Sequence, residues 1–319
     1  MELGLNIRTL TGVALFGLAW LKLAAGGEDP HPHFQATVDM VVLTFTVTDG
    51  RGKYVKGLQA SDIEVQDDGV VQKVVDFVEG SQPNSEAHAV AGLADVKVFV
   101  LFDTSNWMYT NFPYACDAIA QFVRGLDSAD SVAIYKFSRN LFRAVPLTAD
   151  RQQAISGARS AVAGDDTALF NAVLLTLRDA ATRAGRKALV VFSNGPDNAS
   201  IVSPSDVGRV AQDEGIPIYL ISTRDEQRDA ISAASFQRIT GQTGGRLFWA
   251  ESWKKQSDAL ALIRQDLANS YTIAYYPTPS SNSGFRSISV DVTSATRGKY
   301  VVHTRSGYNA STNSKVANR

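Results

Sequence analysis

The 319-residue sequence is poor in the side chains on which several large protein classes depend. It has one cysteine, Cys116, so one chain has neither an internal disulfide framework nor a cluster of thiolate metal ligands. Lysine and arginine number 31 against 32 aspartates and glutamates. This balance gives no basic surface of the kind that binds nucleic acid, so we expect no nucleic-acid partner.

The sequence also lacks the motifs of two enzyme classes, the dinucleotide-binding enzymes and the Ser-His-Asp hydrolases. No glycine-rich phosphate loop follows the first buried apolar run, where residues 103–107 read Asp-Thr-Ser-Asn-Trp. No G-x-S-x-G nucleophile elbow is present, and the four histidines stand in a tail, a linker and a C-terminal β segment, as His31, His33, His88 and His303. A dinucleotide site and a Ser-His-Asp hydrolase are therefore both disfavoured.

The N-terminus has the pattern of an export signal. Arg8 precedes the apolar stretch of residues 10–21, and small residues follow at 24–26. We predict a signal peptide over residues 1–26, which directs the protein to the periplasm or outside the cell. The apolar stretch is short for a membrane span, so we expect no stable membrane anchor after cleavage. An uncleaved N-terminal anchor stays open as the alternative.

The next segment changes to a period of two. Apolar and polar residues alternate through residues 38–47, and the Asp-Gly pairs at 49–50 and 68–69 are hairpin signals. We predict a small β module over residues 34–80, in which residues 71–77 form one strand. A linker follows over residues 81–95, which are rich in Ser, Asn, Ala and Gly.

Strand and helix patterns then alternate over residues 96–269. The apolar runs 98–102 and 188–192 are typical of strands that are buried on both faces, and amphipathic stretches separate them. The predicted fold class is α/β, with a doubly wound, mostly parallel sheet. Residues 270–308 return to β patterns and are expected to pack with the N-terminal module, before a polar tail at 309–319.

Oxygen-bearing side chains end two of the buried strands. Asp103 and Ser105 follow the first run, Asn194 follows another, and Thr167 precedes a helix. The carboxyl ends of parallel strands share one edge, and a hard cation such as Mg²⁺ binds carboxylate, hydroxyl and amide oxygens. Two alternatives stay open: Asp103 caps a turn, or it is the nucleophile of a phosphatase or another hydrolase. Phosphatases of that type commonly need a second aspartate where this chain has Ser105.

At these positions the chain resembles the von Willebrand factor type A domain. The family's Asp-x-Ser-x-Ser segment corresponds to residues 103–107, its isolated threonine to Thr167, and its Asp-Gly pair to Asn194-Gly195. Residues 185–200 look like a narrower group, the von Willebrand factor A-related proteins of acidobacteria. Four further segments also look like it, at residues 49–77, 243–246, 271–275 and 305–308. The resemblance implies an adhesion or protein-recognition fold. Together with the predicted signal peptide, it leads us to expect an exported, non-enzymatic protein.

Two positions depart from the family pattern. Trp107 stands where the second serine would be, and Asn194 replaces the second aspartate. Tryptophan offers no ligand oxygen, and asparagine brings no charge. We therefore expect Asp103, Ser105, Thr167 and Asn194 to form a degenerate metal site of low occupancy, with weak Mg²⁺ binding and no other cofactor. Nearby, Trp107, Asp166 and Asp197 are predicted to form the ligand surface for a protein partner that needs little help from a cation. The two aspartates are also candidate substitute ligands, and packing of Trp107 into the domain is the alternative for that side chain.

Overall fold

The computed structural model describes residues 40–80, 95–106, 108, 112–128, 130–193, 195–223, 230–293 and 299–310. The predicted signal peptide, nearly all of the predicted linker and most of the polar tail lie outside these ranges, as do Trp107 and Asn194. None of the helices in the described part of the chain combines the length and the hydropathy that a membrane span requires.

The secondary structure follows a β, α/β, β sequence along the chain. The first strands are β1 (Val41–Thr48), β2 (Ile63–Asp67), β3 (Val70–Val71) and β4 (Val74–Glu79). The middle part comprises β5 (Val96–Asp103), α1 (Phe112–Arg124), β6 (Ser131–Phe137), β7 (Leu141–Thr148), α2 (Arg151–Arg159), α3 (Leu169–Ala181), β8 (Arg186–Ser193), α4 (Pro204–Asp213), β9 (Ile218–Ser222), α5 (Ala230–Thr243), β10 (Leu247–Trp249) and α6 (Trp253–Ala268). The last strands are β11 (Ser270–Tyr275), β12 (Phe285–Val292), β13 (Val301–His303) and β14 (Gly307–Asn309).

The middle part forms one six-stranded sheet in the order β10-β9-β8-β5-β6-β7. Its strands are parallel except for β7, which runs antiparallel to β6 at one edge. The two predicted apolar runs are β5 and β8, which are adjacent and lie in the middle of the sheet. The predicted fold class, a doubly wound and mostly parallel α/β sheet, is confirmed.

Helices cover both faces of this sheet. Along β5, successive side chains point to opposite faces, as the strand period of two requires. Val98 and Val100 pack in the layer formed by α1, α2 and α6, whereas Phe99 and Leu101 pack in the layer formed by α3, α4 and α5. The continuous apolar sequence of β5 is therefore explained by burial on both sides.

The two ends of the chain form two antiparallel four-stranded sheets, in the orders β13-β1-β11-β4 and β14-β12-β2-β3. In each sheet, strands from before residue 80 pair with strands from after residue 270, for example β1 with β11 and β2 with β12. Their inner faces share one apolar core, in which the rings of Phe45 and Tyr271 stack with centroids 5.6 Å apart. The terminal β segments thus form a sandwich together.

One strand prediction in this sandwich was wrong. Asp68 and Gly69 do form the expected tight turn, with φ values of 55° and 78°. The residues after the turn, however, form two short strands, β3 and β4, which belong to different sheets. The change occurs at Gln72, whose side chain accepts a 2.9 Å hydrogen bond from the Thr278 N–H and donates one of 2.7 Å to the carbonyl of Val70. A side chain bound to a distant loop is not visible in a local pattern.

A buried ion pair joins the two ends of the chain inside the sandwich. Asp67, at the end of β2, is fully buried and accepts a 2.7 Å bond from Arg286 Nε. The hydroxyls of Tyr308 and Tyr275 donate to its other oxygen at 2.8 and 3.1 Å. The carboxylate therefore holds one N-terminal strand against three C-terminal strands.

Arg305 connects the sandwich with the α/β part of the chain. Its guanidinium donates to the Gln212 carbonyl at the C-terminal end of α4, at 2.6 Å, and to the Val42 carbonyl in β1, at 3.1 Å. It also lies over the ring of Tyr308, 5.5 Å from the centroid. The buried guanidinium thus donates to carbonyl groups of both the sandwich and the α/β part of the chain.

Candidate functional site

The strand order of the six-stranded sheet reverses between β5 and β8. In open α/β sheets, ligands bind beyond the carboxyl ends of the strands at such a position. Asp103 is the last residue of β5 and Ser193 is the last residue of β8. The topology therefore places these two side chains at the position in the sheet where a ligand site is expected.

The carboxylate of Asp103 is fully buried and held on both sides. Its Oδ1 accepts a 2.8 Å hydrogen bond from the Ser105 N–H, and its Oδ2 accepts one of 2.6 Å from the Ser193 hydroxyl. Burial raises the pKa of Asp103, the nearby charge of Asp197 adds to the rise, and the two hydrogen bonds oppose it. The geometry fixes the orientation of this carboxyl group.

A closed ring of hydrogen bonds extends from Asp103 through two further residues. Thr223, just after β9, donates its N–H to the Ser193 carbonyl at 3.2 Å and its hydroxyl to the sulfur of Met108 at 3.5 Å. Met108 in turn donates its N–H to the Ser105 carbonyl at 3.0 Å. The ring ties together the ends of β5, β8 and β9, and so restrains the loops that surround Asp103.

Thr167 is brought to the same edge by contacts on both of its sides. Two residues before it, the Asp165 carbonyl accepts a 3.1 Å bond from the N–H of Asn106, beside Ser105. On the other side, the Thr167 N–H donates to Asn198 Oδ1 at 2.9 Å, and the Asn198 N–H donates to the Thr167 carbonyl at 3.0 Å. Thr167 thus lies in a loop that contacts the segment after Asp103, which contains Ser105.

Two of these residues have buried hydroxyls that lack a partner. Within the described part of the chain, Ser105 Oγ and Thr167 Oγ1 are buried and make no hydrogen bond. Buried polar groups are normally paired, and hard cations bind oxygens of this kind. Asp103, Ser105 and Thr167 therefore fit part of a cation site. In the same described residues, no group of three or more His, Cys, Asp or Glu side chains is placed to hold a metal ion.

The two candidate substitute ligands have other partners. Asp166 forms an ion pair with Arg139 and accepts a 3.3 Å bond from the side-chain amide of Asn198. Asp197 accepts 2.8 Å bonds from the N–H groups of Phe170 and Ser200. Both carboxylates are therefore used to hold the loops together at this edge.

The first turn of α3 takes its carboxylate from a distant loop and not from its own sequence. The helix begins at Leu169, after the two aspartates at 165–166, and its first turn contains no acidic side chain. Asp197 provides the carboxylate instead, and the Ser200 hydroxyl accepts a 2.9 Å bond from the Asn171 N–H. The first-turn N–H groups are satisfied by a loop that lies 27–29 residues further along the chain.

Sequence reasoning missed Ser193, Asn198, Thr223 and Met108. For Ser193 a signal was available, since a hydroxyl that ends a buried strand lies at the ligand-binding edge by topology alone. Asn198 is separated from Thr167 by 31 residues, and no spacing rule connects them. The Thr223–Met108 contact spans 115 residues and depends entirely on the packing of the loops.

Comparison with known proteins adds a family match. Residues 97–262, just over half of the chain, match the family model of the von Willebrand factor type A domain. No curated protein matches the sequence. Among solved structures, the chain is similar to a von Willebrand factor type A protein from Catenulispora acidiphila, with 13% identity and a TM-score of 0.46, covering 86% of this chain and 75% of the other.

Two further solved structures are similar over part of the chain. The conserved hypothetical protein BatB from Bacteroides thetaiotaomicron has 18% identity and a TM-score of 0.45, covering 54% of this chain and 97% of its own. Proximal thread matrix protein 1 from the mussel byssus has 13% identity and a TM-score of 0.47, covering 63% of this chain and 50% of its own.

Proposed function

Because the chain belongs to the von Willebrand factor type A domain family, we propose that it is an exported, non-enzymatic protein-recognition or adhesion protein. The observation that carries this proposal is the carboxyl edge of the six-stranded sheet, where Asp103 is fixed beside two buried hydroxyls without a partner. The protein is proposed to act in the periplasm or outside the cell. We also propose that the chain belongs to the von Willebrand factor A-related proteins of acidobacteria, because residues 185–200 look like that group.

A degenerate metal site is proposed at this edge. Asp103, Ser105 and Thr167, together with Asn194, would hold a divalent cation. When bound, the cation would supply a positively charged position for an oxygen of the partner. Asp103 is the one carboxylate in this set. The substitute ligands Asp166 and Asp197 are already engaged, Asp166 in an ion pair and Asp197 with backbone N–H groups, and these contacts compete with metal binding. We therefore propose weak Mg²⁺ binding and recognition that does not require it.

The metal part of the proposal is tested by the melting temperature. A ligand at 100 times its Kd stabilises a fold by about 2.7 kcal/mol, which corresponds to a rise of roughly 5–10 °C here. Millimolar Mg²⁺ should shift the wild-type melting temperature by no more than about one degree, whereas the double variant Trp107→Ser, Asn194→Asp should gain a clear Mg²⁺-dependent rise. A large wild-type shift that Asp103→Ala abolishes would contradict the weak-binding proposal.

The recognition part is tested by capture of a partner from envelope extract on the mature protein. Asp165 is exposed at the edge, so Asp165→Lys should reduce capture. The control is Asp291→Lys, which is also exposed and lies on β12 of the sandwich. Capture that both variants leave unchanged would show that the partner binds elsewhere.

The non-enzymatic part is tested with a generic phosphoester. Ser105 stands where an aspartate-nucleophile phosphatase would need its second aspartate, and both oxygens of Asp103 already accept hydrogen bonds. We expect no hydrolysis of p-nitrophenyl phosphate above the rate in buffer. Hydrolysis by the wild type that disappears in Asp103→Asn would establish an enzyme instead.

A further inference from the structure

The four most exposed large apolar side chains of the described residues lie at the same edge as the candidate site. They are Ile201, Ile231, Val162 and Phe142, with exposed fractions of 93%, 84%, 79% and 63%. We call this set the apolar rim. Single exposed apolar residues are ordinary on protein surfaces, whereas several along one edge of a sheet offer apolar surface that a partner can cover.

Contacts on two sides of the candidate site place Val162 and Ile201. Val162 is two residues before Gly164, whose N–H donates a 2.7 Å bond to the carbonyl of Thr104, in the loop after β5. The Ile201 N–H donates a 3.1 Å bond to Asn171 Oδ1, in the first turn of α3. These two rim residues therefore lie in the loops that hold Ser105 and Thr167.

The other two rim residues lie further out along the same edge. Phe142 pairs in the sheet with Lys136, the penultimate residue of β6. Ile231 is in the first turn of α5, next to Ser232, and a Cβ atom at Gly195 would lie 3.3 Å from the Ser232 hydroxyl. Phe142 therefore lies beside the carboxyl end of β6, and Ile231 lies at the start of the helix that follows β9.

Aspartates outnumber basic side chains at this edge. Asp165, Asp166 and Asp197 lie in its loops and Asp103 is buried at the end of β5, whereas the basic side chains are Arg139, which pairs with Asp166, and Lys136, which donates to the Ser160 carbonyl. Asp165 is exposed, and within the described residues its carboxylate makes no hydrogen bond or ion pair. The unpartnered hydroxyls of Ser105 and Thr167 add hydrogen-bond acceptors beside this negative charge.

We infer that the partner presents a lysine or arginine between aliphatic side chains, with the cation directed to the aspartates of this edge and the aliphatic groups packed on the rim. This inference rests on the proposed function and names the chemistry of the partner at that site. A cationic group complements these aspartates without a metal ion, and complementary charge sets the choice and orientation of a partner. The rim supplies the apolar surface whose burial provides affinity.

The inference is tested by selecting peptides from a random phage-displayed library on the full mature chain in EDTA. The selected peptides should carry net positive charge together with Leu, Ile or Val, and their binding should weaken as salt is raised. Asp165→Asn should weaken binding about two- to five-fold, which is the value of one exposed charge pair. Asp291→Asn on the sandwich is the matched control and should have no effect.

The rim is tested separately with Ile201→Thr combined with Ile231→Thr. Losing the burial of these aliphatic groups should weaken the same peptides about tenfold or more. Val71→Thr, at an exposed position on β3, is the control for a general change in surface polarity. Circular dichroism and melting temperature are measured for every variant, and since these side chains are exposed we expect both to match the wild type.

Two results would overturn the inference in distinguishable ways. If the selected peptides are acidic, or bind only with Mg²⁺, and the edge variants still weaken them, the proposed recognition site stands but its partner has the opposite charge. If no peptide is selected, or if the selected peptides bind all edge variants as well as the wild type, the inference fails together with the proposed recognition site.

Discussion

Removing the carboxylate of Asp67 should destabilise the whole β sandwich. In the native protein this buried group accepts bonds from Arg286, Tyr275 and Tyr308, which belong to three strands at the other end of the chain. In Asp67→Ala the Arg286 guanidinium stays buried without its ion partner, although it keeps 3.3 Å contacts to the Thr278 carbonyl. A buried charge that loses its partner is among the most costly single changes in a protein.

The expected loss is about 3–5 kcal/mol for breaking the buried ion pair, and the two tyrosine hydroxyls that lose their acceptor favour the upper end. For a domain of this size, such a loss lowers the melting temperature by about 6–20 °C. Urea denaturation followed by circular dichroism measures the free energy of unfolding. Hydrogen exchange should become faster in β2, β11, β12 and β14 together, since all four strands contribute to the network.

The control replaces both charged groups with apolar ones. Asp67→Leu combined with Arg286→Met leaves no unpaired charge, so the double variant should lose less stability than Asp67→Ala alone. The reasoning is refuted if Asp67→Ala stays within about 1 kcal/mol of the wild type, a loss no larger than that of an ordinary surface contact. Faster exchange confined to β2 would show that Asp67 stabilises its own strand and does not hold the C-terminal strands in place.

Three further predictions concern the start of α3, a buried carboxyl group and export. Asp197→Ala should lower the free energy of unfolding by about 0.5–2 kcal/mol, because the first-turn N–H of Phe170 loses its acceptor. Urea denaturation measures this loss, with the exposed substitution Asp291→Ala as the control. Equal urea midpoints for the two variants would contradict the prediction. Burial raises the pKa of Asp266 above its ordinary value of 3.8, against the opposing effect of its hydrogen bond from Tyr54. The folded state therefore binds the proton more tightly than the unfolded state. The wild type should lose stability relative to Asp266→Asn as the pH rises above about 4. If the free energy of unfolding depends on pH in the same way for both proteins, the prediction is wrong. N-terminal sequencing of protein recovered from the producing cell should begin after Ala25 or Gly26, and soluble cytoplasmic protein that retains Met1 would disprove the predicted signal peptide.

The six-stranded sheet was predictable because its strands have an unambiguous local signature. Apolar residues fill 98–102 and 188–192 without interruption, and burial on both faces is the physical cause of that pattern. The turn at Asp68-Gly69 was equally clear, since few residue pairs adopt two positive φ values. The change of sheet at Gln72 was not predictable, because the bond that its side chain accepts there comes from Thr278, 206 residues further along the chain.

The candidate site was predictable in part for the same reason. Asp103 could be placed at the ligand-binding edge, since its position follows from where a strand ends and from the rule for parallel sheets. Asp166 and Asp197 were predicted at the ligand surface or as substitute ligands, and this stays a prediction. Their contacts with Arg139 and with the start of α3 were not predictable.

The sequence by itself determined which segments form strands and helices, because the period of apolar residues and the chemistry of turns act between near neighbours. It also determined that carboxylate and hydroxyl groups follow buried strands. Only the tertiary structure decided which of these groups meet and which are already satisfied. The Asn198 bonds to Thr167 span 31 residues and the Asp67–Arg286 pair spans 219, so their partners are chosen by the packing of whole sheets. The same packing brings Phe142, Val162, Ile201 and Ile231 to one edge, since residues far apart in the chain share a surface only after the strands are arranged.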